Sequence, residues 1–298
     1  MEDLQISSIS QYIDVIEELA KTYQATNPVV TTFVFRGLGD QSYPLYPSVF
    51  RQDTEQAADA NIANDKYTSW AGEDALLESF IAEAVRYISD IPPQNLCRWA
   101  EYAQHYGVPT RFLDWTSNPL AALYFACRGC DGKNAAVWVL HSVNYRHFAA
   151  AKNKKMSDNQ KNTGLTVEET INRLLAGKPE IDYPILYTPY YVDARMSTQS
   201  SYLMVWGNKK QPLEKLIPRE KFMVYRGKGE EHECDRSQNQ EGKILFKLIF
   251  SCDRKQSLIR QLDMLGVNEK SLFPGLDGIG RYIEMKYRFD YDELMDHI

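Results

Sequence analysis

The stretch that most constrains this chain is Glu101–Cys127, EYAQHYGVPTRFLDWTSNPLAALYFAC, which sets a dense run of polar groups between two apolar helical patterns. Before and into it, Leu96, Trp99, Ala100 and Ala103 recur on one helical face, with Pro92 and Pro93 at the start and Gly107 and Pro109 as the stop. Thr110–Leu113 has the length of a short strand, and Asp114–Asn118 carries the chain onward. Pro119 suits the first position of a helix and Asn118 can cap it, so Leu120–Cys127 reads as a buried helix. Asp114, Thr116 and Ser117 then gather at a helix N-terminus, where backbone N–H groups and the helix dipole favour anions.

Any one of these side chains is explained by capping or local pairing, Arg111 with Asp114 for instance. The cluster as a whole is harder to explain that way. Gln104, His105, Thr110, Arg111, Asp114, Trp115, Thr116 and Ser117 around one turn are costly to desolvate unless a ligand or a dense network satisfies them.

The rest of the chain supplies a frame for this segment. Ile9, Tyr12, Ile13, Ile16 and Leu19 mark an amphipathic helix, and Thr31–Phe35 alternates like a strand that ends in Phe35-Arg36-Gly37. Arg36 is expected where that strand gives way to a loop, a common place for a ligand-directed side chain. Residues 53–72 read as a surface excursion, and Leu76, Phe80, Ala84 and Tyr87 as a helix. Ala135–Leu140, Ser201–Trp206, Phe222–Tyr225 and Lys243–Ser251 read as strands. Residues 144–180 suggest a helical insertion, and Gly229–Gly242 a charged hairpin or disordered tip. Leu258, Leu262 and Leu265 mark a helix stopped by Gly266, and a loop over 271–278 leads to a last helix through Ile279, Ile283 and Tyr287. The fold expected is α+β, a mixed, mainly antiparallel sheet with packed helices, over one domain of 298 residues.

Composition narrows the partners. With a formal charge of −6 and a pI near 5.5, the chain has no electrostatic footprint for a phosphate backbone, and no compact carboxylate set for Mg²⁺, so nucleic acid is disfavoured. Lys152, Lys154 and Lys155 read as a solvated loop. The first residues are acidic where a signal peptide is basic, and no stretch approaches the roughly 20 apolar residues of a membrane span. Five cysteines without framework spacing favour a reducing compartment, so a cytoplasmic protein is expected. Cys127 and Cys130 have C-x-x-C spacing but no second pair, so no metal is expected. Gly275, Gly278 and Gly280 lack the Lys-Ser/Thr of a phosphate loop.

Phe35-Arg36-Gly37, Leu45–Arg51, Ala103–Thr116 and Asn118–Ala126 closely resemble the FRG domain family. Later pieces agree in order, Arg195 with Gln199 before a strand and then Ser271–Gly278, so the likeness runs from about residue 30 to 285. More remotely the chain resembles the ADP-ribosyltransferase fold, in which an aromatic-Arg-Gly strand end, a Ser/Thr-rich strand-to-helix element and a later Glu grip NAD. That resemblance implies Arg36 and Gly37 for the first element and Thr116 and Ser117 for the second. No Glu stands in a convincing E-x-E setting, and Gln199 occupies the strand start.

The resemblance implies a pocket for an anionic nucleotide-like ligand, NAD most simply, with Arg36, Asp114 and Gln199 as catalytic candidates. Gly37, Gln104, His105, Thr110, Arg111, Trp115, Thr116, Ser117 and Arg195 are the binding candidates. The implied chemistry is ADP-ribosyl transfer, to a protein or small-molecule acceptor, or NAD hydrolysis, in a bacterial toxin or phage-defence setting. A non-catalytic sensing or interaction domain is the alternative, with the tyrosine-rich residues 183–191 as its partner surface.

Overall fold

The structure, a computed structural model, describes residues 6–23, 32–51, 70–153, 165–178, 181–190, 198–225 and 242–295. Helix α1 (Ile9–Tyr23) leads to strand β1 (Phe33–Leu38), followed by α2 (Trp70–Ala84), α3 (Leu96–His105), β2 (Phe112–Thr116) and α4 (Pro119–Cys127). The middle of the chain forms β3 (Ala135–His141), α5 (Ser142–Lys152), α6 (Val167–Leu175), β4 (Ile185–Tyr187) and β5 (Ser201–Val205). The last part adds α7 (Leu213–Leu216), β6 (Phe222–Tyr225), β7 (Leu245–Phe250), α8 (Lys255–Met264), α9 (Glu269–Leu272) and α10 (Leu276–Met295). This is the expected α+β class. The strands make one sheet in the order β4-β5-β2-β1-β3-β7-β6, antiparallel except for the parallel pair β6 and β7.

Strand alternation distributes the apolar side chains unequally over the two faces. Val34, Leu113, Trp115, Trp138, Leu140 and Met204 share a core that runs beneath the whole centre of the sheet. The opposite face carries two separate cores. Phe33, Phe35, Val137, Val139 and Phe246 pack with Tyr12 of α1, Leu123 of α4 and Leu258 of α8. Phe112, Leu203 and Val205 pack with Leu77 of α2, Trp99 of α3 and Leu174 of α6.

Hydrogen-bond register explains where these two cores part. Strand β1 pairs with β3 from Phe33↔His141 through Leu38↔Ala136, and β2 pairs with β5 from Phe112↔Val205 through Thr116↔Ser201. Between β1 and β2 the register holds at Phe35↔Thr116 alone. The sheet is therefore two half-sheets joined at a seam.

Three boundaries differ from expectation in ways that matter for the site. Strand β1 continues through Arg36 and Gly37 to Leu38, because β3 offers ladder partners along its whole length. Strand β2 extends through Thr116, since β5 pairs with Asp114 and Thr116 at Leu203 and Ser201. Asp114 and Thr116 are thus strand residues, and only Ser117 and Asn118 turn the chain into α4. Asn118 caps that helix as expected, accepting from the backbone N–H groups of Leu120 and Ala121, with Pro119 in its first turn. The loop expected over 271–278 is shortened by α9 and by the early start of α10. The stretch 229–241 and Arg195 lie outside the described residues.

Arg111 belongs to the framework. It is wholly buried, and its Nε donates to both carboxylate oxygens of Glu73 at 2.9 and 2.8 Å. Its backbone N–H donates to Glu73 Oε1 at 3.0 Å, and Nη2 completes a bidentate ion pair with Oε2. This pair ties α2 to the start of β2. Removing one partner of a buried ion pair strands the other charge, which costs about 3–5 kcal/mol. Glu73→Ala is expected to lower unfolding stability by about that amount in a denaturant titration; a loss below about 1 kcal/mol, the range of exposed pairs, would contradict this role.

Candidate functional site

A cavity of about 540 Å³ opens at the seam, in the gap between the two cores. Phe35 and Gly37 of β1, Asp114 and Thr116 of β2, and Ser201 and Leu203 of β5 all alternate onto this face and line it. Helix α3 contributes Glu101, Gln104 and His105, while Phe125, Arg128 and Gly129 close the side of α4. Such a volume falls in the usual range of small-molecule sites, about 300–1,000 Å³.

Arg36 bridges the seam. Alternation starts its side chain on the face opposite Phe35, yet Nη1 turns to donate to the backbone carbonyl of Asp114 at 2.6 Å and stands 3.9 Å from Asp114 Oδ2. The guanidinium supplies a hydrogen bond where the β1–β2 ladder has stopped. Its Nε is buried with no hydrogen-bond partner among the described residues. Burial lowers its pKa to about 10 against the opposing pull of Asp114, so it remains a cation at neutral pH.

Gly37 is needed for packing. A Cβ there would collide with the Ala122 carbonyl oxygen and the Ala126 backbone N, so only glycine lets α4 lie against β1. Gln104 joins the polar side of the cavity, donating to Asp114 Oδ2 at 2.7 Å and accepting from Thr110 Oγ1 at 2.6 Å. Thr116 Oγ1 donates to the Gln199 carbonyl and accepts from the Asn118 N–H at 3.0 Å. The Gln199 amide in turn donates to the Leu272 carbonyl at 3.0 Å, which ties the cavity wall to α9.

Arg36, Gly37, Gln104, His105, Asp114, Trp115, Thr116 and Gln199 therefore converge on one cavity. The indole of Trp115 is packed in the opposite core. Thr110 holds Gln104 from behind, Arg111 faces Glu73, and the backbone N–H of Ser117 donates to Ser200. These three do not line the cavity.

Two charged residues enter that sequence reasoning missed. Arg128 has 42% of its side chain exposed at the cavity, and its Nε lies 2.8 Å from Glu269 Oε1 in an ion pair. The other oxygen of Glu269 takes Arg281 Nε at 3.1 Å, and the two guanidinium groups flank the Phe273 ring at 5.3 and 5.0 Å. Arg128 sits within the C-x-x-C segment, which drew attention to its sulfurs. Glu101 is 2% exposed. Its position three and four residues before Gln104 and His105 places it on the same helical face, a signal the sequence did carry.

Glu101 Oε1 accepts from Tyr187 Oη at 3.1 Å, while Oε2 has no hydrogen-bond partner among the described residues and lies 3.9 Å from Arg98 Nη1. Burial raises its pKa to about 7, against the opposing Tyr187 hydrogen bond and Arg98. Among the described residues no group of three or more His, Cys, Asp or Glu side chains is arranged to hold a metal ion, and no helix is long and apolar enough to cross a membrane.

The FRG domain family model matches residues 31–135, so the chain carries an FRG domain over that stretch. β1, α3, β2 and α4, which form most of the cavity, lie inside it, whereas Gln199, β5 and α9 lie beyond it. No curated protein and no solved structure matches the chain.

The elevated pKa of Glu101 has a stability consequence. The unfolded chain ionises near 4.5 and the folded one near 7, so the folded state holds the extra proton between them. Stability from this group is full below the lower value and is lost as pH rises through the upper. Glu101→Gln is expected to melt progressively higher than wild type as pH is raised from 5 to 8; a constant difference across that range would contradict the shift.

Proposed function

We propose that the seam cavity binds an anionic nucleotide-like ligand, NAD most simply, and that its chemistry is ADP-ribosyl transfer or hydrolysis at the nicotinamide glycosidic bond. The observation that carries this reading is the pair of arginines, Arg36 and Arg128, on one cavity that also presents Asp114 and Gln199. Guanidinium groups make strong charge-assisted bonds to phosphate oxygens. Among the described residues the buried Arg36 Nε has no hydrogen-bond partner, and the ion pair with Glu269 holds Arg128 by one edge. Asp114, with 55% of its side chain exposed, offers a carboxylate to a ribose hydroxyl or to positive charge developing at the anomeric carbon. The remote likeness to the ADP-ribosyltransferase fold supports the same ligand, and the family likeness supports a role in bacterial toxin action or phage defence. A non-catalytic nucleotide-sensing domain is favoured by one feature alone, the neutral amide of Gln199 where such transferases carry a Glu.

Arg36 also holds the seam, so its removal mixes binding with stability. Arg128 separates the two, because Arg281 stays on Glu269 when Arg128 is gone. By titration calorimetry, Arg128→Ala is expected to bind NAD about 10- to 100-fold more weakly than wild type, the equivalent of one or two lost charge-assisted bonds, with its melting temperature little changed. Equal affinity would contradict the phosphate role. NAD binding without nicotinamide release would select the sensing domain, and no binding by wild type would reject the nucleotide reading.

A further inference from the structure

A second cavity, of about 590 Å³, lies beyond α3 and is lined by Tyr145, Tyr187, Tyr190, Val167 and Ile185 among others. Glu101 is the one described residue that lines both cavities. The charged and titratable groups around it are Cys97 and Arg98 of its own helix, Glu168 of α6 and Tyr187 of β4. Tyr187 Oη and, more weakly, Cys97 Sγ at 4.0 Å both address Oε1, and Arg98 is further drawn away by stacking over the Tyr190 ring at 4.4 Å. Oε2 is thus a buried carboxylate oxygen that has no hydrogen-bond donor among the described residues and lies at the junction of two cavities.

Asp114 is in the opposite situation. Its Oδ2 accepts from Gln104 at 2.7 Å and stands 3.9 Å from Arg36 Nη1, so one edge of the carboxylate is held in place. That suits a group holding charge and position.

Resting on the NAD reading above, we propose that Glu101 is the acid–base residue of the seam cavity, taking the proton from the hydroxyl nucleophile that attacks the ribose. In that step the nucleophile oxygen bonds to the anomeric carbon, and the bond from this carbon to the nicotinamide nitrogen breaks. The electron pair of the broken bond neutralises the pyridinium, so nicotinamide leaves uncharged, and the nucleophile's proton passes to the Glu101 carboxylate. With water as nucleophile the products are ADP-ribose and nicotinamide; with an acceptor hydroxyl, an O-linked ADP-ribose. The second cavity gives the nucleophile a space of its own next to Glu101.

The test combines a carboxyl titration with kinetics. In protein carrying ¹³C-carboxyl glutamate, the signal missing from Glu101→Gln is expected to titrate near 7 in the free protein. Nicotinamide release from NAD by wild type is expected to rise with pH through that midpoint. In Glu101→Gln release should fall by about 10²- to 10⁴-fold and lose the pH dependence, while NAD binding is retained. A Glu101 signal titrating in the ordinary glutamate range overturns the proposal whatever the ligand. NAD binding with unchanged release by Glu101→Gln, or with no release by wild type, overturns it and leaves the binding reading standing; absence of NAD binding by wild type overturns both.

Discussion

The hydrogen bond from Arg36 Nη1 to the Asp114 carbonyl is the interaction on which the site depends. Two strands of one sheet separate after a single registered pair, and backbone groups that a continuing ladder would have satisfied face one another across a gap. A backbone carbonyl that has lost its ladder partner needs another donor, and a long cationic side chain is one of few groups that can reach it from the neighbouring strand. The same guanidinium then faces a cavity. Fold and site share this residue, so the seam cannot close without expelling the charge.

The seam exists because the helices above the sheet form two groups. Gly37 allows α4 to sit hard against β1, and the Glu73–Arg111 pair anchors α2 at the start of β2. Each group buries its own apolar stripe on its own half-sheet, and the space between is walled by the polar residues of β2 and α3. At the far side Glu269, buried between Arg128 and Arg281, offsets part of their positive charge and fixes them around Phe273. One arginine thus reaches the cavity from within the FRG domain and is braced by a helix pair that lies outside it.

Local chemistry was the part most legible in the sequence. Asn118 and Pro119 start α4 as capping rules require, Gly107 ends α3 with a φ of +82°, and the alternation of β1 and β7 and the continuous apolar run of β3 are plain in their residues. Asp114 and Thr116 read locally as a turn because the partner that draws them into a strand, β5, lies about 85 residues downstream. Arg111 shows the same limit: its nearest acid in sequence is Asp114, but its true partner, Glu73, comes from a helix that tertiary packing alone brings near. Most of the cavity residues were named because they cluster in one segment. Arg128 is not legible in the same way, because its placement depends on an ion pair with Glu269, more than a hundred residues away.

The proposed role of the seam between β1 and β2 as a nucleotide site is tested most directly by a crystal structure of the protein soaked with ADP-ribose. Density is expected in the seam cavity, with the diphosphate in contact with Arg36 and Arg128 and a ribose beside Asp114. Ligand bound elsewhere, or a seam that stays empty at saturating ADP-ribose, would contradict it.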